Sequence, residues 1–257
     1  MKTLLEKRIY LIKYLLEESG DNDVAIPESE FEQRKLLRGL FNVRPPKEIS
    51  KEFMSIQDEY LQEVIKEKGI TDYKSLKQIE KDIYLWKGDI TTIKCDAIVN
   101  AANSGMTGCY IPNHNCIDNC IHTYAGVELR NECNKIMLEQ GHEEETGQAK
   151  ITKGYNLPAK YVIHTVGPII NGSVTDEDTE LLKSCYISSL RIAEDCKLKS
   201  IAFCSISTGV FAFSKNEAAK IAVKTIRDYK KENNSDIKVI FNVFTDEDYK
   251  IYRELLG

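Results

Sequence analysis

Residues 88–104 read GDITTIKCDAIVNAANS, a short apolar run set between two loops rich in Asp, Thr, Asn and small residues. Branched Ile98 and Val99 between turn-forming residues predict a buried β-strand rather than a helix. The same pattern recurs along the chain. DIYLW (82–86), DAIVNA (96–101), AKITKGY (149–155), YVIHTV (161–166), SIAFCSI (200–206) and KVIFNVF (238–244) read as strands. Helical segments are expected between them near 117–124, 127–140, 176–196 and 216–231, with a last one at 246–255. Strands alternating with helices imply an α/β sheet covered on both faces. In such folds ligands gather in the loops beyond the carboxyl ends of the strands.

Residues 1–80 are different. Leu4, Leu5, Ile9, Ile12, Leu15 and Leu16 fall on one helical face. A second amphipathic piece is expected from Pro27 to Leu40, ended by the Arg44–Pro46 run RPP, and a third from Ser50 to Lys68, stopped by Gly69. No chemistry is visible in this region. It reads as a helical extension packed on residues 81–257.

Bulk properties narrow the class. The 257 residues suffice for one large core plus an appendage, and 42% hydrophobic with 29% charged residues is ordinary for a soluble globular protein. A net charge of −5 without a long basic run argues against a nucleic-acid partner. No apolar stretch is long enough to cross a bilayer. The start, MKTLLEKRIYLIKYLLEESG, is interrupted by Glu6, Lys7 and Arg8, so it reads as a helix and not a signal peptide. A cytoplasmic protein without a membrane partner is expected. The eight cysteines then suggest buried thiols or metal ligands more than disulfides. Cys185 and Cys196 share a helical stripe with Leu182, Tyr186, Leu190 and Ala193, and Cys204 sits in a strand-like run.

Four loops carry candidate chemistry: KGDITT (87–92), NAANSG (100–105), GCYIPNHNC (108–116) and SISTGVFAF (205–213). In the last, Ser214 and Glu217 have capping-box spacing and predict a helix start. Ser207, Thr208, Gly209 and Val210 just before it make either a plain connection or an anion cradle of backbone N–H groups. Asp89 is either a turn cap or an acceptor for an exocyclic amine. Asn103 is either a turn residue or a partner for sugar hydroxyls.

The third loop has the spacing C-x4-H-x-C at Cys109, His114 and Cys116. Three soft ligands fit a zinc site whose fourth position stays open. Cys120 or His122 could instead close it, and a nucleophilic Cys109 or Cys116 is a further alternative. Asp118 reads as a helix N-cap, as a general base, or as both.

Taken in order, GDITTIKCDAIVNAANS, IDNCIHTYAGVELRNEC (117–133), TGQAKITKGYNLPAKYVIHTVGP (146–168) and SIAFCSISTGVFAF (200–213) resemble the macrodomain family of ADP-ribose-binding modules. The similarity is greatest to the protein ADP-ribose hydrolase branch. Where that branch commonly has a glycine run, Asn103 and Asp118 are separated here by SGMTGCYIPNHNCI, which is similar to the zinc-containing bacterial macrodomains.

The resemblance implies a three-layer α/β/α macrodomain with a mixed central sheet, plus the N-terminal helical extension. It also implies that Asp89, with the Ile90 backbone alongside, holds adenine, and that Phe244 walls that side. Asn103 would meet the distal ribose, while Ser207, Thr208, Gly209, Val210 and Phe211 would wrap the pyrophosphate and distal ribose. One zinc ion would sit on Cys109, His114 and Cys116. Asp118 and Asn103 would carry hydrolysis at the anomeric carbon, releasing mono-ADP-ribose from modified protein side chains. The implied partner is a lipoyl-carrier protein modified by a sirtuin-type transferase. The alternative is a non-catalytic ADP-ribose reader with a structural zinc.

Overall fold

The computed structural model describes residues 2–257. Three helices come first: α1 (Leu4–Ser19), α2 (Glu30–Val43) and α3 (Lys51–Lys68). Each starts at a hydroxyl cap, Thr3, Ser29 and Ser50 respectively, whose side chain accepts a free backbone N–H of the first turn. Helix α3 stops at Gly69, as its sequence suggests, with φ at +86°. Two expectations shift. Pro27 does not start α2; Ser29 does, and the Pro27 carbonyl accepts from Gln33 Nε2. The buried face of α1 is also rotated. Leu5 is exposed, while Lys7 and Arg8 are buried because Glu59, Glu63, Glu30 and Gln33 partner their charged ends. The helices share their own apolar core, built on Leu11, Ile12, Leu37, Phe41, Phe53 and Leu61.

The rest is an α/β unit. Its elements run β1 (Thr71–Asp72), β2 (Gln78–Glu80), β3 (Ile83–Lys87), β4 (Ile93–Lys94), β5 (Ala97–Ala102), α4 (Ile117–Ala125) and α5 (Val127–Gln140). There follow β6 (Ala149–Lys153), β7 (Tyr161–Val166), α6 (Asp176–Asp195), β8 (Ser200–Phe203), α7 (Lys215–Glu232), β9 (Lys238–Val243) and α8 (Asp246–Leu256). The central sheet has seven strands in the order β2-β3-β9-β8-β5-β7-β6. Its inner pairs are parallel, and only β2 and β6 run antiparallel to their neighbours. Short β1 and β4 pair separately. Helices α6, α7 and α8 pack on one face and α4 and α5 on the other. The α/β/α architecture with a mixed sheet is therefore as expected.

Local readings differ at a few points. The strand SIAFCSI ends at Phe203, so Cys204, though buried, already belongs to the following loop. Cys196 lies just beyond α6 and is exposed, off the apolar stripe that buries Cys185. Ser214 stands at the N-cap of α7, but its hydroxyl accepts no N–H, so the capping box does not form. Every cysteine is a free thiol. Among the described residues no helix is long and apolar enough to cross a membrane.

The two parts are joined by buried polar contacts. Arg130 of α5 donates to the carbonyls of Phe41, Asn42 and Arg44 at the end of α2, and to Thr107 O in the loop after β5. Those carbonyls lack intrahelical partners, so the guanidinium serves as their cap. Gly126, between α4 and α5, has φ +100°, and a Cβ there would come within 2.7 Å of Gln57 Nε2. Gln57 Oε1 accepts the Val127 N–H at 2.9 Å, locking α3 to the start of α5. Replacing Arg130 by Met should leave those carbonyls buried and unpaired. Urea unfolding should then show a loss of about 2–4 kcal/mol with no change of fold by circular dichroism.

Candidate functional site

The carboxyl ends of β3, β5, β8 and β9 open into one cleft of about 1320 Å³. Asp89 and Ile90 enter it from the turn after β3, Asn103 from the end of β5, and Phe244 from the end of β9. The loop from Ser207 to Phe211 lines it as well, and so do Cys109, His114, Cys116 and Asp118. Every residue to which the resemblance assigns a ligand, metal or catalytic role thus lines a single cavity.

Asp89 caps a 3-10 turn over Ile90–Thr92, with Oδ1 accepting from Thr91 N at 2.9 Å. Its other oxygen faces Lys68 Nζ from α3. Burial pushes the carboxyl up, but the hydrogen bonds from Lys68 and Thr91 outweigh it and hold the group below the usual range. An ionised carboxylate retains free lone pairs, so the turn role leaves Asp89 able to accept from a further donor.

In the Ser207–Phe211 loop, Ser207 has φ +63° and is buried. Gly167 makes room for it; a Cβ there would sit 2.1 Å from Ser207 Oγ. Thr208 and Ala212 donate backward to Ser205 O and Gly209 O, closing the turn. Among the described residues no backbone oxygen takes the N–H groups of Gly209, Val210 or Phe211. Successive N–H groups left free beside a left-handed residue are the makings of an anion nest. Val210 and Phe244 are both 77% exposed, and they form the lips of the cleft.

Asp118 is not the cap of α4. Cys116 holds that position, its Sγ accepting from Asn119 N at 3.4 Å. Asp118 lies in the first turn and is almost fully buried. Its Oδ1 accepts from Asn100 Nδ2 at 2.8 Å and its Oδ2 from Asn103 Nδ2 at 3.3 Å. Burial raises its carboxyl to about 6, opposed by Asn100, Arg130 and Asn103. Asn100 also approaches His164 Nδ1 at 3.1 Å, and His164 Nε2 approaches Thr152 Oγ1 at 2.9 Å. An amide NH₂ can only donate, which makes His164 Nδ1 the acceptor and Nε2 the protonated nitrogen. Asn100, an amide inside the apolar strand AIVNAA, was the signal for this anchor that the sequence reading passed over.

Cys109, His114 and Cys116 bring their ligand atoms within 4.8 Å of one another, all half-buried. Cys109 Sγ and His114 Nδ1 are 3.5 Å apart. Tetrahedral zinc sets neighbouring S and N donors roughly 3.5–3.8 Å apart, so the donor set and its spacing fit that ion. Neither suggested fourth ligand joins them. His122 belongs to a separate buried group with Cys133 and His164, and Cys120 contacts Arg38 instead. Burial pushes the Cys116 thiol up to about 12, against the Asn119 N–H, which disfavours a free thiolate nucleophile.

Residues from the N-terminal helices also reach the cleft, and the sequence carried no sign of it. Lys68 lies over the Tyr124 ring at 3.6 Å beside Asp89, and Arg38 borders the Cys109–Cys116 segment.

A mixed sheet layered by helices, with an open cleft at its strand ends, defines an α/β/α fold. The Macro domain family matches residues 99–222. A Treponema medium protein named protein-ADP-ribose hydrolase is 58% identical, over 99% of this chain and all of its own. Among solved structures, the Oceanobacillus iheyensis macrodomain with ADP matches at a TM-score of 0.63 and 39% identity, over 70% of this chain and 93% of that one. The Trypanosoma brucei macrodomain in complex with ADP-ribose matches at 0.67 and 28%, over 90% of this chain and 97% of that one. The chain belongs to the macrodomain family.

His164 has a measurable consequence. Burial depresses its pKa to about 3, so the folded protein keeps it neutral while the unfolded chain protonates near 6.5. The unfolded state therefore binds more protons between these values. Its contribution is intact above about 6.5 and lost progressively as pH falls toward 3. Urea titrations should show a decline of about 2–3 kcal/mol from this residue between about pH 6.5 and 4.5. His164→Gln, which takes up no proton, should flatten that slope.

Proposed function

We propose that this protein is a zinc-dependent hydrolase that releases mono-ADP-ribose from modified protein side chains. The carrying observation is that the Cys109–His114–Cys116 cluster and the buried carboxylate of Asp118, two residues beyond Cys116, line one cleft. The name of the Treponema medium relative and the ADP-ribose complex of the Trypanosoma brucei macrodomain support the substrate class.

The chain's own groups divide the work. Asp89 accepts the adenine amine, with the Ile90 backbone alongside and Phe244 as an apolar wall. The free N–H groups of Gly209, Val210 and Phe211 take the pyrophosphate, whose charge they need not neutralise fully to orient it. Ser207 and Thr208 shape that loop. Asn103 binds a distal-ribose hydroxyl while its amide steadies Asp118. Asp118 holds the attacking water at an oxygen and takes its proton as the anomeric C–O bond breaks. Cys109, His114 and Cys116 would hold zinc, which would supply Lewis acidity to the cleft. Two thiolates and a neutral imidazole leave that site uncharged, so placement of the sugar counts for as much as polarisation.

In this reading residues 1–80 are an extension serving the macrodomain of residues 81–257. The modified lipoyl-carrier protein implied by the resemblance is the substrate to assay first. Release of free ADP-ribose from it, lost after chelation and regained with zinc, is the expected result; binding without release would make the protein a reader with a structural zinc. Cys116→Ala should lose zinc and turnover while ADP-ribose affinity by calorimetry stays within about threefold, since the adenine and phosphate contacts lie elsewhere. Asp118→Ala should lower kcat by about 10²–10⁴-fold. Its stability should fall by only about 1–3 kcal/mol, the cost of leaving the Asn100 amide without one partner.

A further inference from the structure

The segment that carries the metal-ligating residues is clamped from outside the α/β unit. Arg38 of α2 donates through Nη2 to His114 O at 2.7 Å and to Asn119 Oδ1 at 3.1 Å, and through Nη1 to Asn115 Oδ1 at 3.1 Å. The next turn of α2 presents Asn42, which is 1% exposed. Its Oδ1 accepts the Asn113 N–H at 2.8 Å, and its Nδ2 donates to Thr123 Oγ1 on α4 at 2.9 Å. Asn113 has φ +58°, a left-handed conformation that an open loop would leave readily. Between the two side chains Gly39 lets the loop sit against the helix, with Asn113 Nδ2 only 3.3 Å from where a Cβ would be. The residue before His114, the His114 carbonyl and the residue after it are thus each tied to α2.

We propose that α2 of the N-terminal extension is a positioning element of the active site, in which Arg38 and Asn42 hold His114 within ligating range of Cys109 and Cys116. The inference rests on the zinc reading of that cluster. A free loop would lose conformational entropy when three of its side chains converge on one ion. Here folding of the extension has already ordered it, and the binding energy of the ion is not spent on that. Arg38 suits the task because a planar fork reaches several oxygens at once, which a point charge does not.

The test uses the full chain and reads zinc affinity by competition with a chromophoric chelator. Arg38→Met keeps the aliphatic stem and a good helix former. It should weaken zinc binding about tenfold or more, as loss of a group that orients metal ligands does. ADP-ribose affinity should stay within about twofold, because it does not depend on the ordering of His114, and the urea midpoint of the zinc-free protein should fall only modestly, by the unpairing of the Asn119 side chain. Arg38→Lys should recover only part of the loss. Asn115→Ala, at an exposed loop position, removes one Arg38 partner from the opposite side and should shift zinc affinity the same way by less. Zinc affinity of Arg38→Met equal to wild type overturns the proposal, as does a parallel loss of zinc, ADP-ribose and stability. If Arg38→Met does not fold, unchanged zinc affinity in Asn115→Ala overturns it. A wild-type chain that takes up no zinc is a different failure, that of the functional reading beneath.

Discussion

Asn100 is the fixed point of the cleft. It is fully buried in β5, and its amide donates to both Asp118 Oδ1 and His164 Nδ1. A carboxylate taken out of water needs donors, or it protonates or leaves the site. The Asn100 amide meets that need from a strand whose position the sheet dictates, with β7 on one side and β8 on the other. Because His164 receives at Nδ1, its other nitrogen must donate to Thr152, and a neutral ring follows. One amide orientation therefore sets the charge and direction of several groups behind Asp118.

From that point the cleft is assembled by the strand ends. The parallel register of β3 with β9, and of β8 with β9 and β5, brings the Asp89 turn, the Ser207–Phe211 loop and Asn103 to one edge. The walls differ in kind. Free backbone N–H groups line the cleft in the Ser207–Phe211 loop, the carboxylates of Asp89 and Asp118 line it elsewhere, and Val210 and Phe244 are its most exposed apolar residues. An acidic protein of net charge −5 thereby keeps a pocket suited to an anionic ligand, since unpaired N–H groups and the cation Lys68 border it.

Much of this was legible from residue order. Alternating apolar runs marked all the long strands, and helix ends fell near their caps. The loop residues Asp89, Asn103, Ser207–Phe211 and the Cys-His-Cys spacing all line the cleft. Errors were local and had physical causes. Leu5 faces solvent because Lys7 and Arg8 found carboxylates to bury against, which outweighs simple apolar periodicity. Cys116, not Asp118, caps α4, since the cap depends on where the backbone first turns rather than on which residue caps best. Asn100 passed unnoticed because an amide inside a strand looks like an imperfection until its partners, 18 and 64 positions away, are brought beside it.

Period, turn chemistry and ligand spacing are local properties, and local sequence carried them: an α/β layer order, the loops that hold chemistry, and a thiol–imidazole–thiol segment. Contacts between distant segments are not encoded that way. That a helical extension without visible chemistry places Arg38 on His114 and Lys68 on Asp89 follows only from how two apolar cores dock. Side-chain reach is a few ångströms, so which charges meet across such a junction is settled by the packing of whole helices and not by any motif.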